Sequence, residues 1–269
     1  MPPDDLASRI EEFLLSLDLP ADGRDYLDRH LRRLVQTLLR VPQSRSSGRA
    51  LELGSYMHMA PVLHLFLGYR DVRGAYYGHA GESKTLASSV GGREVFRCVI
   101  DGFDVERDRF PYDDESMETV LACEIIEHLL SDPIHMLSEI HRVLELGGTL
   151  VLTTPNVVSY TSLARALTME RNPQIYSSYP PLKEDDADVE IPHVREYTPE
   201  ELEETVRAAG FTDVTMETER DETFDSEWVE RILREQGLPT ERRGEQQYCV
   251  ARKTAPHAAP QRPHFLYDQ

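Results

Sequence analysis

Four side chains in this sequence combine the residue types and the spacing that suit a divalent metal ion. Glu124, Glu127 and His128 form an E-x-x-E-H pattern, and His193 lies in a separate segment. If the first three residues open a helix, the i, i+3 and i+4 positions place their side chains on one face. Two carboxylates and two imidazoles are good ligands for an ion such as Mg²⁺, with positions left for substrate oxygens. The sequence therefore predicts a metal site at Glu124, Glu127, His128 and His193.

The same residues also fit a site without a metal. In that arrangement Glu127 and His128 cap the helix and form hydrogen bonds. His193 or His128 then acts as the general base toward a hydroxyl, because an imidazole titrates near neutral pH. Both alternatives stay open at this point, with His193 and His128 as the candidate catalytic residues.

The elements that must position these side chains alternate between short apolar runs and segments of helical period. This alternation predicts right-handed crossovers and a mostly parallel sheet with helices on both faces. Candidate strands are 50–53, 72–76, 95–99, 117–123, 149–153, 214–217 and 248–252, and candidate helices include 4–40, 61–67, 132–144, 199–209 and 226–236. In such a sheet, ligands bind beyond the carboxyl ends of the strands.

The turn after the first strand indicates what kind of ligand binds there. Gly54 follows the strand directly, and a glycine at this point lets backbone N–H groups approach a ligand. A dinucleotide site requires the pattern GxGxxG, whereas this turn contains one glycine. The turn therefore favours a ligand without a pyrophosphate.

The segment from Asp101 to Asn156 carries the most specific pattern. It contains an acid at Asp104, RFPYDD at 109–114, E-x-x-E-H at 124–128, RVLELGG at 142–148 and TTPN at 153–156. With these motifs in this order, residues 49–253 resemble the class I S-adenosylmethionine-dependent methyltransferases. The resemblance implies an α/β fold with a Rossmann-like, seven-stranded, mostly parallel sheet, and S-adenosylmethionine as the cofactor.

The resemblance also implies which residues contact the cofactor. Glu52 and Gly54 match the acid and the first glycine of the strand-one motif, which line the methionine and ribose part. Asp104 matches the acid that recognises the adenine amine, and Glu124 lies beside the methionine moiety. The implied cofactor-binding residues are Glu52, Gly54, Ser55, Tyr77, Asp104, Val105 and Glu124.

Two features depart from that family pattern. Tyr56 and His58 stand where the second and third glycines of the strand-one motif are expected. The second strand also lacks the terminal acid whose carboxylate accepts hydrogen bonds from both ribose hydroxyls. Three explanations stay open: Glu82 reaches back to the ribose, Tyr77 covers the ribose, or the cofactor adopts a different pose.

The E-x-x-E-H pattern with a distal histidine resembles the metal site of the small-RNA 2′-O-methyltransferases. A related E-x-x-E-H occurs in O-methyltransferases of the ubiquinone pathway. In those families the ion binds two neighbouring hydroxyls and lowers the pKa of the one to be methylated. The chain itself has 29 basic and 48 acidic residues, and its net charge of −19 disfavours a nucleic-acid substrate. A sugar, a glycan or a related small molecule is therefore the expected acceptor.

Composition and breaks in the pattern predict the organisation of the chain. We expect a helical cap at 1–42, a methyltransferase domain at 49–253 with a lid insertion at 156–195 and a second insertion at 221–247, and a flexible tail at 254–269. Three cysteines without C-x-x-C spacing, no signal peptide and no membrane span predict a cytoplasmic protein. Two alternative functions stay open: a non-catalytic scaffold that binds S-adenosylmethionine, and an RNA 3′-terminal 2′-O-methyltransferase.

Overall fold

The computed structural model describes residues 3–169, 171–175, 192–221 and 225–267, and within them it shows one eight-stranded sheet with helices on both faces. The strands are β1 (Arg49–Leu53), β2 (Asp71–Tyr76), β3 (Ser83–Val90), β4 (Arg93–Gly102), β5 (Met117–Cys123), β6 (Leu144–Pro155), β7 (Thr212–Glu219) and β8 (Gln246–Arg252). Their order across the sheet is β3-β4-β2-β1-β5-β6-β8-β7.

Helices connect most of these strands. They are α1 (Pro3–Ser16), α2 (Ala21–Arg40), α3 (Ala60–Leu65), α4 (Pro133–Val143), α5 (Tyr160–Thr168), α6 (Pro199–Ala208) and α7 (Glu227–Glu235), with a short 3₁₀ turn at Ile126–His128. The predicted helical stretch 4–40 is divided in two, because Leu17–Pro20 interrupts it. No helix in the part of the chain that the structure describes has the length and apolar character needed to cross a membrane.

The sheet differs from the prediction in its number of strands and in their direction. Seven strands were expected, and the additional one is β3, which pairs antiparallel with β4. The β6–β8 and β7–β8 pairs are also antiparallel, so the sheet is mixed rather than mostly parallel. β3 escaped prediction because its sequence, SKTLASSV, is largely polar and exposed at the sheet edge. Gly91 and Gly92, both with positive φ, close the β3–β4 hairpin.

Two apolar clusters cover the two faces of the sheet. Successive residues of a strand point to opposite faces, and accordingly Leu51 joins the cluster formed with α4 and α6, whereas Ala50 joins the cluster formed with α1, α2 and α3. The same alternation separates Val120 from Leu121 in β5. Burial on both faces holds the central strands rigidly, and their carboxyl ends are therefore a well-supported place for a site.

The segments predicted as insertions and tail are described in part. Residues 176–191 of the predicted lid lie outside the described residues, as do 170 and 222–224. α5 and α7 form a small apolar cluster of their own. The tail, expected to be flexible, packs along the protein: Pro263 is buried and Leu266 packs against the larger core cluster. The proposed domain boundaries stay a prediction.

Candidate functional site

The carboxyl ends of four neighbouring parallel strands form one edge of the sheet. β1 pairs with β2 and β5, and β4 pairs with β2. Gly54, Tyr77, Asp104 and Glu124 each follow one of these strand ends within two residues. The structure therefore brings together the strand-end residues that the sequence singles out.

Glu52 and its neighbours form the turn after β1. The Glu52 side chain is buried, and its carboxylate accepts a hydrogen bond from the Ser55 hydroxyl at 2.9 Å and another from the backbone N–H of Ala60. Burial raises the pKa of Glu52 to about 7. Gly54 has φ +64°, in the left-handed region that favours glycine. Glu52 therefore ties this turn to the beginning of α3.

Tyr56 and His58 replace motif glycines, and the structure gives a physical reason. The Tyr56 ring stacks on Tyr26 of α2 with centroids 5.7 Å apart, and it meets Tyr76 edge-on at 6.0 Å. His58 is buried, and its Nε2 lies 3.1 Å from the carbonyl oxygen of Gly23. These rings attach α2 to the turn after β1, a contact that glycines would not make.

A pocket of about 370 Å³ lies beside the ends of β2 and β4. Tyr77, Glu82 and Lys84 line it together with five other residues. Tyr77 is 72 % exposed, so its ring is accessible to a ligand. Because Tyr77 and Glu82 line the same pocket, each of the two ribose contacts considered from the sequence stays a prediction.

The loop after β4 holds the loop after β5 in place. The Asp104 carboxylate accepts a hydrogen bond from the backbone N–H of Glu106 at 2.9 Å, and Val105 packs against the core. The Glu106 carboxylate accepts three backbone hydrogen bonds, from the N–H groups of Leu130, Ser131 and Asp132, at 2.6 to 3.0 Å. Sequence reasoning missed Glu106, since no local pattern marks a carboxylate that holds a distant loop.

Glu124 lies apart from the other predicted metal ligands. It is not part of a regular helix, because its φ is +54° and only a 3₁₀ turn follows, so the expected common helix face does not form. Its carboxylate forms an ion pair with Arg33 at 2.7 Å and accepts hydrogen bonds from the Thr153 hydroxyl and the Gln246 amide. Glu124 therefore lies outside the group that Glu127, His128 and His193 form, and the predicted four-residue metal set stays a prediction.

Arg33 of α2 is a second residue that the sequence did not identify. Its side chain is 11 % exposed and donates to the Tyr26 hydroxyl as well as pairing with Glu124. Its Nε is buried and has no hydrogen-bond partner among the described residues. No local pattern distinguishes Arg33 from the other arginines of α2, and only the packing of α2 across the sheet shows that its guanidinium is buried.

Glu127, His128 and His193 converge in space. One potential ligand atom from each lies within 4.8 Å of the other two. Glu127 is fully buried, and its Oε2 accepts a hydrogen bond from the Thr154 hydroxyl at 2.8 Å. Its Oε1 has no hydrogen-bond partner among the described residues. Burial raises the pKa of Glu127 to about 7, and the nearby charge of Glu196 acts in the same direction.

His193 is oriented by a carboxylate that sequence reasoning missed. Its Nδ1 lies 3.2 Å from Oε1 of the buried Glu196, and its ring meets the His128 ring edge-on with centroids 4.6 Å apart. The backbone N–H groups of Val194 and Arg195 both donate to the carbonyl oxygen of Glu127. The His-x-x-Glu spacing was the available signal for Glu196.

This donor set fits a divalent cation. A buried carboxylate oxygen without a partner is costly, and a cation between Glu127, His128 and His193 would satisfy it. Histidines that bind metals commonly donate their second ring N–H to a carboxylate, as the His193–Glu196 pair allows. Without an ion, the same His193–Glu196 pair has the arrangement of a general base.

Comparisons with known proteins agree with this architecture. A family model described as a methyltransferase domain matches residues 24–216, a range that begins inside α2. A chain from the complex of the Haloferax volcanii Trm112 methyltransferase activator with a methyltransferase is 18% identical, with a TM-score of 0.53 over 92% of this chain and 98% of that one. A Thermotoga maritima S-adenosylmethionine-dependent methyltransferase, described as a possible histamine N-methyltransferase, is 18% identical, with a TM-score of 0.50 over 86% of this chain and 95% of that one. No curated protein has a significant sequence match.

Proposed function

Because this chain belongs to the methyltransferase-domain family and has the class I S-adenosylmethionine-dependent methyltransferase fold, we propose that it is an O-methyltransferase. Its acceptor is a hydroxyl of a sugar, a glycan or a related small molecule. A divalent ion such as Mg²⁺ assists, held by Glu127, His128 and His193. The observation that carries this proposal is the buried Glu127 oxygen, which has no hydrogen-bond partner among the described residues, beside two imidazoles after the carboxyl end of β5.

The cofactor occupies the edge formed by the ends of β1, β2, β4 and β5. Gly54 and Ser55 contact the cofactor from the turn after β1. Asp104, just after β4, recognises the adenine. The guanidinium of Arg33 has a buried Nε available for a carboxylate, and the methionine part of the cofactor carries one. We assign Arg33 to bind this carboxylate. Arg33 pairs with Glu124, and the family resemblance implies that Glu124 lies beside the methionine part of the cofactor.

Methyl transfer to an oxygen requires alignment and a lost proton. S-adenosylmethionine supplies the methyl group on a sulfonium, and the displacement is in line, so the acceptor oxygen must lie opposite the departing sulfur. A hydroxyl is a weak nucleophile until its proton is removed. In the alternative without an ion, Nδ1 of His193 donates to Glu196, and the lone pair on Nε2 accepts that proton.

Held by Glu127, His128 and His193, a divalent ion would act as a Lewis acid that lowers the pKa of the acceptor hydroxyl. An amine acceptor needs no such assistance, because a neutral amine is already nucleophilic. The donor set of one carboxylate and two imidazoles therefore supports O-methylation over N-methylation. The charge of −19 supports an uncharged acceptor over a polyanion.

The test combines metal binding with turnover. We expect the wild-type protein to bind Mn²⁺ in a calorimetric titration, and Glu127→Gln and His193→Gln to weaken that binding by at least about tenfold, the scale of a perturbed metal site. Turnover is measured as S-adenosylhomocysteine formed with adenosine or methyl glucoside, two uncharged vicinal diols, with Mn²⁺ and with a chelator. Activity should require the ion.

His64→Gln is the matched control, because His64 is exposed in α3 and its contacts are with Tyr69 and Phe96, away from the three proposed ligands. It should bind Mn²⁺ as the wild type does. Full turnover in chelator would remove the metal from the proposal and leave the His193 base. S-adenosylmethionine binding without turnover on any acceptor would favour the scaffold alternative.

A further inference from the structure

The last seven described residues, Gln261–Tyr267, form a strap that folds back over the helical face carrying α4 and α6. The backbone N–H of Gln261 donates to the carbonyl oxygen of Ala208 at 2.8 Å, at the end of α6. Pro263 is buried, and Leu266 packs against the core cluster of that face. The strap is therefore anchored at several points along its length.

Two of its side chains bind the loop that follows His128. Arg262 and the Tyr267 hydroxyl each lie 2.6 Å from an oxygen of the Asp132 carboxylate, and the Arg262 guanidinium also stacks over the Tyr267 ring. Asp132 caps the N-terminus of α4 by accepting the N–H of His135. From the loop after β4, the Glu106 carboxylate accepts hydrogen bonds from backbone N–H groups of this same loop.

A third side chain reaches the segment that carries His193. The guanidinium of Arg195 lies 5.7 Å from the centroid of the Phe265 ring, a cation–π distance. Arg195 is two residues beyond His193, and its backbone N–H donates to the carbonyl oxygen of Glu127. The strap thus contacts both chain segments whose side chains form the Glu127–His128–His193 group.

We propose that the strap is a positioning element of the methyl-transfer site: it sets the distance between the turn that carries Glu127 and His128 and the segment that carries His193. The proposal rests on the proposed function, since that function makes Glu127, His128 and His193 the ligands of an ion. A ligand set holds its ion tightly only when its members are fixed by surrounding contacts. Arg262, Phe265 and Tyr267 supply such contacts from outside the site and touch no reacting atom.

The test separates positioning from folding. Tyr267→Phe combined with Arg262→Gln removes both bonds to Asp132, and Phe265→Ala removes the contact with Arg195. We expect each variant to bind Mn²⁺ about tenfold more weakly, with S-adenosylmethionine affinity within about twofold of wild type. Amide hydrogen exchange should accelerate at residues 129–132 in the first variant and at 194–195 in the second. Tyr267→Phe alone keeps the ring and should show a smaller change in the same direction.

Tyr160→Phe is the matched control, because it also removes one phenol hydrogen bond, to the carbonyl oxygen of Thr240, and contacts neither segment. It should leave Mn²⁺ affinity and exchange at both segments unchanged. Wild-type Mn²⁺ affinity and exchange in the strap variants would overturn the proposal. If the wild-type protein binds no Mn²⁺, the metal in the proposed function fails. In that case the hydrogen-exchange measurement alone tests the positioning role of the strap. Unchanged exchange in the strap variants would overturn that role.

Discussion

The two glutamates of one short motif have different environments, and the backbone is the reason. Glu124 adopts a left-handed φ of +54° directly after β5, so its carboxylate points to Arg33. Glu127 lies in the 3₁₀ turn and is buried, with one oxygen bonded to Thr154 and the other without a partner among the described residues. The first is therefore a charge-paired residue, and the second is the residue that we propose as a cation ligand.

Glu52 gives a prediction at the same scale. Burial raises its pKa from 4.5 to about 7 in the folded protein. The folded state therefore holds this proton at pH values where the unfolded chain has lost it, and stability falls as pH rises from about 4.5 to about 7. Between about pH 5.5 and about pH 8, the contribution of Glu52 to the free energy of unfolding falls by roughly 2 kcal/mol. Glu52→Gln cannot ionise, so its free energy of unfolding should lose that part of the pH dependence.

Urea unfolding at the two pH values measures the difference. Glu235→Gln, at an exposed position of α7, is the control and should keep the wild-type slope. A Glu52→Gln profile parallel to that of the wild type would show that the Glu52 carboxyl group has the same pKa in the folded and unfolded states.

At the scale of elements, α2 is part of the site as well as a cover for one face of the sheet. Tyr26 stacks on Tyr56 after β1, and Arg33 pairs with Glu124 after β5. The family match also begins within this helix, at residue 24. The helix that the sequence predicts as part of a cap therefore contributes side chains to the edge where the cofactor is proposed to bind.

Arg33→Gln tests that contribution. If Arg33 binds the carboxylate of S-adenosylmethionine, the variant should bind the cofactor about tenfold more weakly, the value of one charge-assisted hydrogen bond. Its Mn²⁺ affinity should not fall, because Arg33 forms its ion pair with Glu124 and its positive charge, which also acts on Glu127, disfavours a cation there. Calorimetric titration measures both affinities, and a thermal melt checks the fold.

Arg32→Gln provides the comparison from the same helix. Arg32 pairs with Glu219 at 2.7 Å, but its side chain is 58% exposed. Its partner Glu219 belongs to β7, at the sheet edge remote from β2 and β4, so cofactor affinity should not change. An equal loss of affinity in both variants would assign the effect to α2 as a whole and remove the specific role of Arg33.

At the scale of the whole molecule, the net charge of −19 favours an uncharged acceptor over a polyanion. The motif resembles that of enzymes acting on RNA, yet a polyanion gains affinity mainly by contact with basic side chains. Many arginines of the described residues are engaged by acidic partners, including Arg40 with Glu217 and Arg142 with Glu139. A free or glycan-borne sugar meets no such repulsion.

A single-stranded RNA oligonucleotide tests this argument by fluorescence anisotropy. We expect affinity weaker than the ~10⁻⁴ M that marks the low end of non-specific binding at physiological salt. Tighter binding that weakens with added salt, together with 2′-O-methylation of the terminal ribose, would instead establish the RNA alternative. A DNA oligonucleotide of the same sequence, which lacks the 2′-hydroxyl, is the control for methylation.

The sequence by itself determined the alternation of strands and helices, the family fold, and the strand ends at which Gly54, Tyr77, Asp104 and Glu124 lie. These features are local: an apolar period and a glycine after a strand are readable within a few residues. It also indicated Glu127, His128 and His193, because the E-x-x-E-H spacing with a distal histidine resembles a known metal-site motif. The polar edge strand β3 carries no apolar alternation, and so it was not predicted.

Only the tertiary structure decided which of these side chains meet. Glu124 pairs with Arg33, Glu106 holds the loop after His128, and the strap contacts the segments that carry His128 and His193. Each of these contacts joins residues far apart in the chain, and its geometry depends on how helices pack across the sheet. A side chain's partner and burial are properties of that packing, and no local sequence pattern encodes them.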